Sequence, residues 1–131
     1  MKYKKIFIHT LSALFLFSLF NCTKKPNLKG FDLETFKNDP GACKGERSLT
    51  VPWLKENKFN FQGTSSNDLA TILGKPDLQQ LADRNQEYYI YFLESGPHCK
   101  SKTKPSTANS VAFRFSAIGL VTEITFQSGL P

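Results

Sequence analysis

Residues 65–94, SSNDLATILGKPDLQQLADRNQEYYIYFLE, carry the reading on which the rest of the chain depends. Ser65 is a helix-capping residue, and Asp68 three positions on is a short-armed relative of the capping-box acid. Leu69, Ile72 and Leu73 then recur at i, i+3 and i+4, the spacing of one helical face. Gly74 suits a left-handed C-terminal position, and Pro76 forbids continuation. A helix of about eight residues does not persist alone, because nucleation costs more than so few propagating bonds return. It therefore has to lie on another element. After the polar connection comes Glu87–Glu94, EYYIYFLE, an alternating run of strand-forming residues with Tyr88, Ile90 and Phe92 on one side and Tyr89, Tyr91 and Leu93 on the other.

Further on, Ser110–Phe115 sets Val111, Phe113 and Phe115 against Arg114, and Leu120–Phe126 sets Leu120, Ile124 and Phe126 away from Glu123. Ser116-Ala117-Ile118-Gly119 joins these two strands as a hairpin in which glycine supplies positive φ. Upstream, Leu49, Trp53 and Leu54 have near-helical spacing. Pro52 places the helix on its C-terminal side, since an interior proline removes a hydrogen bond and clashes with the preceding turn. Trp53 reads as a packing residue. The expectation is an α+β domain: two short helices packed on one face of a three-stranded antiparallel sheet.

The chain has 131 residues, and the first 21 form a separate unit. Lys2, Lys4 and Lys5 precede an apolar run from Ile6 to Phe20, the layout of an export signal. At about 15 residues the run is shorter than the roughly 20 needed to span a bilayer. Leu19-Phe20-Asn21-Cys22 resembles a bacterial lipobox in its leucine three before the cysteine. Phe20 and Asn21 depart from the small residues usual there. Cys22 is the expected lipid-bearing residue. An ordinary secreted protein with a free Cys22 is the alternative. The division expected is a signal peptide over 1–21, a flexible tether over 22–30, broken by Pro26 and carrying Lys24, Lys25 and Lys29, and one domain over 31–131.

Three of the 17 basic side chains lie in the leader, which accounts for half of the formal charge of +6. What remains is too mild for a nucleic-acid binder. With Cys22 lipidated, Cys43 and Cys99 are the remaining pair in an oxidising compartment and are expected to form a disulfide. A metal site from Cys43, His98 and Cys99 is the alternative, and it wants a fourth ligand. No catalytic constellation stands out: beyond the leader there is one histidine, the glycines are scattered, and the carboxylates are dispersed. No cofactor is expected. Residues 96–109, with Lys100, Lys102 and Lys104, read as a long solvated loop. The Tyr89, Tyr91, Leu93 face is either the open side of the sheet or is covered by the N-terminal segment. As the open side it makes Tyr89, Tyr91 and Arg114 candidate contacts for a protein partner.

Taken together, the leader, Leu73-Gly74-Lys75-Pro76-Asp77, the tyrosine-rich strand and Phe113–Ile124 (FRFSAIGLVTEI) resemble the small outer-membrane lipoproteins of the SmpA/OmlA type, the BamE-like family. The resemblance covers Gly63 to Phe126. It implies two helices on a three-stranded sheet, an arrangement shared with the repeat of the β-lactamase inhibitor proteins. It also implies a periplasm-facing scaffold in outer-membrane assembly. The Cys43/Cys99 pair, the lysine-rich loop and the N-terminal segment are additions to the simplest family pattern. The functional expectation is a non-enzymatic, lipid-anchored protein that binds an envelope partner. An inhibitor-type module blocking a periplasmic or extracellular enzyme is the alternative.

Overall fold

A computed structural model describes residues 23–131, in which three short helices precede a four-stranded antiparallel sheet. The helices are α1 (Leu33–Lys37), α2 (Val51–Asn57) and α3 (Ser66–Leu73). The strands β1 (Leu78–Ala82), β2 (Gln86–Phe92), β3 (Asn109–Phe115) and β4 (Val121–Ser128) lie side by side in chain order. The class is α+β as expected, with one helix and one strand more than the sequence indicates. The leader and Cys22 lie outside the described residues.

α3 forms as its sequence dictates. The Ser65 hydroxyl accepts the Asp68 N–H at 3.1 Å and donates to the Asp68 carboxylate at 2.8 Å. Gly74 closes the helix at φ +87°. Leu69 and Leu73 are fully buried beneath it. Pro52 is in the first turn of α2, where its missing N–H costs no intrahelical bond. The β3–β4 turn also follows the expected residues, with Gly119 at φ +75° and its N–H bonded to Ser116 O at 2.9 Å.

The extra strand is the supposed polar connection. β1 pairs with β2 from Leu78 opposite Ile90 to Ala82 opposite Gln86. The turn between them places Arg84 and Asn85 at φ +59° and +57°, with Gln86 N–H bonded to Asp83 O at 3.3 Å. Two consecutive left-handed residues match the twist of the flanking strands, which is why such turns close hairpins. β1 escapes a pattern-based reading because its side chains are mostly exposed, so no period-two burial marks it.

The register decides the core. Tyr89 opposes Phe113, Tyr91 opposes Val111, and these oppose Ile124 and Phe126, giving one continuous apolar face. The helix layer covers that face with Phe36, Leu54, Phe61, Leu69 and Leu73. Aromatic rings knit the layers, with centroids 5.4 Å apart for Phe61 and Phe113, and 5.6 Å for Phe36 and Tyr91. Tyr89 and Tyr91 are thus core residues, 8% and 0% exposed, and not an open partner surface. Both faces of β2 are aromatic, so alternation alone could not say which one the helices take. Trp53 packs as expected, 4.7 Å from Phe31.

Residues 23–30 are laid against the domain instead of hanging free of it. Thr23 Oγ1 donates to Asp68 at 2.8 Å, Asn60 Nδ2 to Asn27 O at 3.0 Å, and Trp53 Nε1 to Lys29 O at 3.1 Å. Leu28 packs on the core.

Candidate functional site

Asp77, the last residue of Leu73–Asp77, stands just before β1 at the centre of a buried polar cluster. Its Oδ1 accepts the Gly41 N–H at 2.7 Å. Its Oδ2 accepts the Phe92 N–H at 2.8 Å and Arg47 Nη1 at 2.6 Å. Arg47 is 1% exposed, donates from Nε to Phe36 O at 2.8 Å, and lies 4.5 Å over the Phe36 ring. Asp39, fully buried, accepts the Lys44 N–H at 2.8 Å and the Arg47 N–H at 3.1 Å. Both carboxylates are thus engaged within the domain, Asp77 by three donors and Asp39 by two. The cluster ties residues 36–47 to the end of β2.

Nothing in the sequence points to Arg47 or Asp39, because their partners are 5 to 45 residues away and most of them are backbone groups. Asp77 is visible as part of a helix stop, but its charge pairing is not. Tyr91 lies against the same cluster and donates to Gly74 O at 2.9 Å. Burial pushes its hydroxyl well above the ordinary tyrosine range, an effect that the neighbouring Arg47 only partly offsets.

The expected Cys43–Cys99 disulfide is present, with Cα atoms 5.6 Å apart. Beside it His98 Nε2 lies 2.7 Å from Gly41 O, an atom that can only accept, so this nitrogen carries the proton. Nδ1 is hydrogen-bonded to the Ser106 hydroxyl at 2.7 Å. The ring stacks on Phe92 at 3.8 Å. Phe92, Ala42 and Ala108 form a second small core on the sheet face away from the helices. The disulfide joins the two turns that cover it. The ligand atoms of Cys43, His98 and Cys99 lie within 4.8 Å of one another, but metal binding needs as thiolates the same two sulfurs that are bonded together.

The three proposed partner contacts do not converge. Arg114 sits opposite Tyr88, on the face away from Tyr89 and Tyr91. Its Nε donates to Gln86 at 2.8 Å and its Nη1 reaches Glu123 at 3.3 Å. The exposed feature that sequence reading missed is β1 itself. It has β2 as its sole strand neighbour among the described residues, and Leu81 is 82% exposed. An open groove of about 440 Å³ lies elsewhere, between α2 and the end of β4, lined by Val51, Lys55, Glu94 and Phe126 among others. Glu94 there is occupied by the Asn109 N–H and side-chain amide, at 2.8 and 3.1 Å.

The fold and cluster define a disulfide-strapped α+β domain with helices on one face of an antiparallel meander. The chain matches no family model, no curated protein and no solved structure.

Proposed function

We propose that this is a lipid-anchored protein of the cell envelope that acts by binding another protein and not by catalysis, in the manner of the SmpA/OmlA-type outer-membrane lipoproteins. The observation that carries the reading is the β1 edge. An edge strand presents a row of backbone donors and acceptors to solvent, which an extended segment of a partner can pair with, while side chains along the strand select it. Leu78 and Leu81 supply apolar contacts there, one on each face of the strand. The interior supports a binding role too, since its buried charges hold the chain to itself.

Photo-crosslinking in intact cells tests this directly. A crosslinker at Gln79 or Leu81 is expected to yield one discrete adduct with an envelope protein, and Leu130 none. Leu81→Glu should reduce the adduct from Gln79 at least fivefold. Absence of any adduct from β1, or identical adducts from Leu130, would refute edge binding.

A further inference from the structure

From Thr23 onward the described chain is held against the domain. Thr23, one peptide unit after Cys22, donates to Asp68 Oδ2, an oxygen that also takes the Ser65 hydroxyl at 2.8 Å. The Ser65 bond, and then the Thr23 bond, hold the Asp68 carboxyl below the usual carboxylate range, so it is ionised and both bonds are charge-assisted. Gly63 lies against the Lys24 side chain, and Asn60 bonds Asn27. A free tether of residues 22–30 would reach about 30 Å and leave the domain's orientation open. Docked as it is, this segment has Thr23 at the N-terminus of α3.

The surface around that point is amphipathic. Ile118, 80% exposed, tips the β3–β4 turn, which is joined to the start of α3 by Ser66 N–H to Gly119 O at 2.9 Å and by pairing of Ser65 with Leu120. Phe59, 63% exposed, precedes Asn60. Lys24 and Lys25 are exposed, and Lys58 Nζ lies 5.1 Å from the centre of the Phe59 ring. Of the acids at this end of the sheet, Asp68 already has its donors, Glu123 pairs with Arg114 at 3.3 Å, Glu87 is half-buried at the start of β2, and Asp83 stands next to Arg84 in the β1–β2 turn. Two protruding apolar side chains among three lysines fit a bilayer interface bearing anionic headgroups.

We infer that this pole is a membrane-contact surface. Phe59 and Ile118 enter the headgroup region of an anionic bilayer, and Lys24, Lys25 and Lys58 lie at its phosphates. The domain stands on the membrane in one orientation. β3 runs about 20 Å from that end to the other, so the Cys43–Cys99 strap faces away from the bilayer. The inference rests on the proposed anchoring at Cys22.

The test uses the full chain purified from membranes and reconstituted in vesicles of phosphatidylethanolamine and phosphatidylglycerol, three to one, with brominated acyl chains. Single tryptophans are placed by Phe59→Trp, Ile118→Trp or Leu130→Trp in a Trp53→Phe background. Leu130 follows β4 at the far end and is 47% exposed. Quenching at positions 59 and 118 is expected to be at least twofold deeper than at 130, and Lys24→Glu/Lys25→Glu/Lys58→Glu should abolish the difference. Chain that floats with the vesicles yet shows equal quenching at all three positions overturns the membrane pole and leaves the anchor standing. Chain that does not float overturns both. Hydrogen exchange on the unsubstituted chain gives a readout independent of the variants. Amides of 58–63 and 116–120 should slow on vesicles relative to detergent while those of 128–131 do not, and uniform protection overturns the proposal.

Discussion

Asp77→Ala should remove most of the stability of this domain. The substitution leaves the Arg47 guanidinium, 1% exposed, without its ion partner, and the Gly41 and Phe92 N–H groups without their acceptor. Removing one partner of a buried ion pair costs about 3–5 kcal/mol, and an orphaned buried donor about 1–3 kcal/mol. These contributions share one site and do not add. Asp77 is 9% exposed, so water entering the vacated space recovers part of the loss. A net cost of about 5 kcal/mol follows, against about 5–15 kcal/mol for a whole domain. With a urea slope of about 1–3 kcal/mol per M, the midpoint should fall by about 2–5 M. The single tryptophan, Trp53, packs on Phe31 and reports unfolding by fluorescence. Arg47→Met removes the charge and keeps a side chain over Phe36. The double variant should therefore cost at least about 2 kcal/mol less than the sum of the singles. A loss below about 1 kcal/mol for Asp77→Ala, or singles that simply add, would refute the clasp.

Replacing both Cys43 and Cys99 by serine opens a crosslink between residues 56 apart, which the loop-entropy relation values at about 4 kcal/mol. The urea midpoint should fall accordingly, with hydrogen exchange quickening first around His98 and Phe92; an unchanged midpoint would mean that the two turns hold without the bond. Tyr91→Phe should cost about 1 kcal/mol at neutral pH, for the bond to Gly74 O. Because burial raises the folded pKa of Tyr91, its neutral form is favoured in the native state. The unfolded chain ionises first, near pH 10, and stability from this group is full below that pH and falls as pH rises toward the folded pKa. Tyr91→Phe should remove that alkaline loss in unfolding measured from pH 8 to 11; matching slopes for the two proteins would count against the assignment.

What could be read directly was whatever neighbouring residues decide. The Ser65 cap, the Gly74 stop, the Gly119 turn and the start of α2 at Pro52 are short-range hydrogen-bond and φ preferences, and all appear where the residues place them. The disulfide followed from there being just two cysteines beyond Cys22. β1 was hidden because LQQLA has no buried face to imprint alternation, and its pairing comes from β2 and from a turn in which Arg84, not glycine, takes positive φ. The candidate site was least legible. Tyr89, Tyr91 and Arg114 looked like one surface, but strand geometry sends Arg114 to the opposite face, and the helix layer covers the tyrosines.

By itself, then, the sequence determined the locally encoded elements, the cysteine pairing and the expectation of an export leader, because each depends on residues close in the chain or on simple counting. The tertiary structure alone decided which face of β2 is core, that Arg47 and Asp39 are buried, and that residues 23–30 lie on the domain. Those outcomes depend on which distant groups meet in a low-dielectric interior, where an unpaired charge or donor is costly enough to select the arrangement. Local sequence carries no record of such meetings.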